Sequence, residues 1–108
     1  MVTIARMMVE AEITKLMKPY SEKPPTERTL ELSTPMEMYS GKVSFGRIVG
    51  LTVPPLSDKP LLKVGLYNRY KEKGHIENYT LFSLGNFDEH TLEMVLNNAR
   101  ESMASAEK

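Results

Sequence analysis

Residues Leu61–Lys71, LLKVGLYNRYK, alternate two chemistries one residue at a time. Read as a β-strand, the stretch sends Leu62, Val64 and Leu66 to one face, continued by Tyr70. Lys63, Gly65, Tyr67, Arg69 and Lys71 fall on the other, because strand side chains alternate with a period of two. One face is greasy enough to be buried. The other carries cations, an aromatic ring and a glycine, an arrangement suited to a flexible anionic polymer.

The elements on either side decide what that strand pairs with. Lys71–Gly74 reads as a hairpin connection, with glycine supplying a positive φ. Its partner is a strand over His75–Leu84, with Ile76, Phe82 and Leu84 on one face and His75, Glu77, Tyr79, Leu81 and Ser83 on the other. Upstream, Lys42–Val53 is a further strand. Val43, Phe45, Val49, Leu51 and Val53 share a face with Arg47, and Ile48 is an apolar exception opposite. Gly46 and Gly50 suggest a bulge or a close backbone approach. Pro54–Pro60 is a loop. Glu27–Leu32 forms a short strand, and Thr34-Pro35-Met36-Glu37 has the pattern of a capping box opening a helical turn that Gly41 stops.

Helices flank the strands. Val2, Ala5, Val9, Ile13 and Leu16, widened by Met8 and Met17, recur at helical spacing, and Pro19 predicts the end of that helix. At the other end Asn86 stands as N-cap ahead of Glu89, with Asp88-Glu89 favouring a helix N-terminus. Leu92, Val95, Leu96, Ala99 and Met103 then form an apolar stripe. The pattern predicts one α+β domain over residues 1–108. It comprises an N-terminal helix (1–18), a connector (19–26), a four-stranded antiparallel meander with one open face (27–85), and a C-terminal amphipathic helix (86–104).

Composition narrows the function classes. With 108 residues, 41% hydrophobic and 26% charged, the chain suits one globular domain. No apolar run approaches the roughly 20 residues a membrane helix needs. Arg6, Glu10, Glu12 and Lys15 break up the N-terminal segment, which does not read as a signal peptide, and an intracellular setting is expected. The chain has no cysteine, which excludes disulfides and thiol chemistry. His75 and His90 lack metal-ligand spacing, and no glycine-rich phosphate loop or nucleophile motif occurs, so neither an enzyme nor a cofactor or metal is expected. Fourteen basic residues balance fourteen acidic ones, which argues against coating duplex DNA. Locally the balance tips: Lys59, Lys63, Arg69, Lys71 and Lys73 meet only Glu72 between positions 59 and 73.

Single strands bind proteins through phosphate contacts and through bases stacked on aromatics. Lys42, Lys63, Arg69, Lys71 and Lys73 supply the first, and Tyr67 and Tyr79 the second. Four phosphate contacts would give a log–log salt slope of about −3. The same residues also suit a merely solvated face, since strand lysines discourage edge pairing and tyrosine favours strands. The methionine-bearing face of Val2–Met17 offers another reading, a docking surface for a protein partner.

Residues 41–100 resemble the transcriptional positive-cofactor-four family, related to the Whirly and PUR folds. Lys63-Val64-Gly65-Leu66-Tyr67-Asn68-Arg69-Tyr70 is similar to that family's K-V-x-[VIL]-x-x-[YR]-Y strand. Lys71–Gly74 stands at its charged turn, Phe82-Ser83-Leu84 at its I-S-L-like triplet, and Asp88-Glu89 at the helix opening. His75-Ile76-Glu77-Asn78 replaces the family's Lys/Gly-rich approach, and Leu92 stands near its helix aromatic. The resemblance implies a homodimer that binds single-stranded DNA, or RNA, in transcription, replication or repair, with no marked sequence preference.

Overall fold

Period-two patterning and two amphipathic helices produce an α+β fold in this computed structural model, which describes residues 3–68, 70–72 and 74–106. Val2, Arg69 and Lys73 lie outside the described residues. The order is α1 (Ile4–Ser21), β1 (Thr29–Ser40), β2 (Val43–Thr52), β3 (Leu61–Tyr67), β4 (Ile76–Ser83) and α2 (Glu89–Ala106). The strands form one antiparallel sheet in sequence order. Among the described residues no helix is long and apolar enough to cross a membrane.

Thr3 caps α1 by accepting the Arg6 N–H at 3.0 Å. The helix does not stop at Pro19 but runs on to Ser21. Proline there forfeits the bond its own N–H would make and crowds the carbonyl four residues earlier, but it stands within the last turn, where Glu22 and Lys23 close onto the carbonyls of Pro19 and Tyr20. Ile13 and Met17 are fully buried, with Val9, Leu16 and Tyr20 packed beside them. Ile4, Met7 and Met8 stay exposed, so the expected stripe serves the core only in its C-terminal half.

The predicted helical turn over Thr34–Glu37 is instead part of β1. Pro35 is tolerated because β1 is an edge strand, and pairing with β2 lapses between Glu31 and Met36. Gly41 is not a helix stop. With φ +66° it turns the β1–β2 hairpin, and Ser40 pairs with Val43 across it.

In β2, Ile48 pairs with Val64 and Gly50 with Lys63, leaving Val49 as an extra residue. This bulge explains how Ile48, Leu51 and Val53 are all buried although they break strict alternation. It also moves Arg47 to the face opposite the core, against the sequence expectation. A Cβ on Gly50 would stand 2.7 Å from the Leu30 carbonyl oxygen, so glycine there permits the β1–β2 approach.

Strand β3 ends at Tyr67. Asn68 N–H then bonds the His75 carbonyl at 3.1 Å, and Gly74, at φ +88°, turns the loop. Tyr70 is therefore exposed and does not continue the apolar face. A register shift next to Tyr67 pairs it with Ile76, which puts Ile76 on the open face as well. Asn86 lies in a short 3-10 turn, Leu84–Asn86, where its amide donates to Ser83. Asp88 takes the capping role, its Oδ1 accepting the Thr91 N–H at 2.8 Å. That backbone bond and a second from the Thr91 side chain hold the Asp88 carboxyl below its usual range.

Both helices lie on one side of the sheet. Helix α2 packs on β1 and α1, and α1 reaches β2. Leu92, Val95, Leu96 and Ala99 meet Leu30, Leu32, Leu51, Leu62 and Val64 in a single core.

The β2–β3 loop holds one strained residue. Ser57 N–H closes onto Pro54 O at 3.2 Å, and Leu56, fully exposed, sits at φ +64°. That conformation costs a non-glycine residue roughly 1–2 kcal/mol, against a smaller entropic cost for glycine. Leu56→Gly is expected to raise stability by about 0.5–1 kcal/mol, read by urea unfolding.

Candidate functional site

The face of the sheet away from the helices is built in rows across the strands. One row runs Glu37, Arg47, Gly65, Tyr79, and the next Glu31, Gly50, Lys63, Leu81. Tyr67 and Ile76 follow at the hairpin end. Gly50 and Gly65 are both buried, and their missing side chains let neighbours close in. Lys63 crosses the space above Gly50 to reach Glu31 Oε1 at 3.4 Å, and its ammonium lies 5.0 Å from the centre of the Tyr79 ring. A Cβ on Gly65 would meet Ile76 Cδ1 at 2.8 Å and Tyr79 Cε1 at 3.2 Å. The glycine therefore lets these two side chains close over the strand. Tyr79 remains 57% exposed.

Glu37 organises the neighbouring cluster. Its carboxylate accepts from Ser44 Oγ at 2.7 Å, from Arg47 Nη2 at 2.9 Å and from the Tyr67 hydroxyl at 2.8 Å. Arg47 also lies 5.8 Å from the Tyr67 ring centre. Desolvation alone would raise the Glu37 pKa. The hydrogen bonds from Ser44, Arg47 and Tyr67 outweigh it and hold the carboxyl below its usual value. Desolvation and the adjacent carboxylate push the Tyr67 phenol up. Tyr67 thus stays a neutral donor fixed in orientation.

Lys42 and Lys71 stand apart from this network. Lys42 is in the β1–β2 turn and Lys71 in the loop after β3, and both are exposed. They line one groove of about 780 Å³ at the end of the sheet, together with Tyr39, Arg47 and Tyr67. Neither lysine forms an ion pair among the described residues.

The expected binding residues therefore divide. Lys63 and Tyr79 are in contact on the sheet face, and Lys42, Tyr67 and Lys71 share the groove. Sequence reasoning missed Glu31, Glu37 and Arg47, which temper the basic surplus. The signal was present: Leu30, Leu32, Met36 and Met38 keep a period of two, with Glu31 and Glu37 in the alternate positions. Among the described residues no group of three or more His, Asp or Glu side chains could hold a metal ion. Comparison with protein-family models, curated proteins and solved structures returns no match.

Proposed function

We propose that this chain binds single-stranded nucleic acid, without catalysis, along the uncovered face of its sheet. The observation that supports it most is the exposed Tyr79 with the Lys63 ammonium 5.0 Å from its ring centre on the uncovered face. A base stacks on the ring while its phosphate takes the ammonium. Glu31 does not prevent this, because an exposed ion pair is worth only about 0–1 kcal/mol and yields readily to a phosphate. Lys42 and Lys71 add two further cations at the end of the face.

Three lysines touching phosphates give a log–log salt slope of about −2 for a single strand. Fluorescence anisotropy with a labelled oligothymidylate is expected to show that slope. Absence of binding at low salt removes the reading. The β4 edge supports a homodimer by strand pairing, since Ile76–Ser83 contains no lysine or proline to discourage it.

A second reading rests on Ile4, Met7 and Met8, three large apolar side chains exposed on α1. Such a patch suits a protein partner. If sedimentation and partner recovery are unchanged in a Met7→Glu/Met8→Glu variant, that reading is lost.

A further inference from the structure

The groove at the end of the sheet differs in kind from the face it adjoins. On the face, Lys63 and Arg47 are each matched by a glutamate. In the groove, Lys42 and Lys71 enter from two separate turns with no carboxylate in ion-pair distance among the described residues. Glu37 also lines the groove, but its charge is answered by Arg47 and its oxygens by Ser44 and Tyr67. Glu72 is the remaining carboxylate on the wall. The Tyr67 hydroxyl is committed to Glu37, with Arg47 beside its ring, whereas Tyr39 is 62% exposed. The groove's volume of about 780 Å³ is that of a small-molecule site. That is room enough for a nucleotide.

We propose that this groove takes a nucleotide bearing a terminal phosphomonoester, with the phosphate between Lys42 and Lys71 and the base against Tyr39. The inference rests on the single-strand reading, and on that reading it makes the groove the place where a bound strand ends. A phosphomonoester carries about −1.5 to −2 charges at neutral pH, against one for an internal phosphate, which suits two ammonium groups with no carboxylate in ion-pair distance among the described residues. Two ligands share this chemistry, a strand end and a free nucleoside monophosphate.

The test uses the full chain and three oligothymidylates of one length, carrying a 5′-phosphate, a 3′-phosphate or neither, with the dye on the opposite end. One phosphorylated form is expected to bind about tenfold tighter than the unphosphorylated strand. Thymidine monophosphate should compete away that gain. Lys42→Ala/Lys71→Ala, a change at two exposed positions, should abolish the gain while leaving the fold unchanged by circular dichroism. Equal affinity for all three strands, or a gain that survives the double variant, overturns the inference and leaves single-strand binding in place. Binding of the mononucleotide by equilibrium dialysis, with no binding of any strand, keeps the groove assignment for the free nucleotide and removes the single-strand reading. No binding of either removes both.

Discussion

Arg6→Ala is expected to lower stability by about 3 kcal/mol, a large share of what a domain of this size possesses. Arg6 is 9% exposed, and its guanidinium donates to three acceptors. Nη2 donates to the Leu84 carbonyl at 2.6 Å, Nε to the Phe87 carbonyl at 3.0 Å, and Nη1 to Glu10 Oε2 at 2.9 Å. The two carbonyls belong to the turn that joins β4 to α2, so one side chain ties the first helix to the start of the last. Removing it forfeits charge-assisted bonds, each of roughly 1.5–3 kcal/mol, and adds a void, although the Leu84 carbonyl keeps the Phe87 N–H at 3.1 Å. At roughly 4–8 °C per kcal/mol, thermal unfolding should shift down by about 12–24 °C. Arg6→Lys should recover only part, since a single ammonium lacks the guanidinium's fork of donors. A loss below about 1 kcal/mol would show that these bonds form without holding the helices together.

Tyr79→Ala is expected to weaken single-strand binding by about 5- to 150-fold, the equivalent of roughly 1–3 kcal/mol for one stacked base. Tyr79 is more than half exposed, with Lys63 and Gly65 beside its ring, so stability should change little. Tyr79→Phe keeps the π-face and should retain most of the affinity. Titration of an oligothymidylate into each variant by anisotropy reads the difference. Equal weakening by Tyr79→Phe and Tyr79→Ala would mean that the hydroxyl, not the ring, meets the ligand.

Much of this architecture is legible in the residues. Leu62/Val64 against Lys63/Gly65 gave β3 its two faces, and the Leu92–Met103 spacing gave α2 its buried stripe, because each pattern keeps one period throughout. Reading failed where the period was interrupted. Val49 shifts β2 by one residue, so Ile48 looked out of place and Arg47 was assigned to the wrong side. Pro35 between Thr34 and Glu37 imitates a helix start, and only the pairing of Met36 with Ile48 makes it an edge strand. Arg6 looked like a charge interrupting an apolar helix, since nothing local indicates that carbonyls from positions 84 and 87 will meet it. The site inherited these errors. The lysines and tyrosines stand out on β3 and β4, but Glu37, which answers Arg47 and Tyr67, lies in the stretch of β1 that imitates a helical turn.

The most direct measurement is an amide chemical-shift titration of the ¹⁵N-labelled chain with a short oligothymidylate. The largest shifts are expected on Lys63, Gly65, Tyr79 and Leu81, with Lys42 and Lys71 following at the end of the sheet and α1 and α2 little changed. Shifts confined to Ile4–Met8, or none at any ratio, would contradict this expectation.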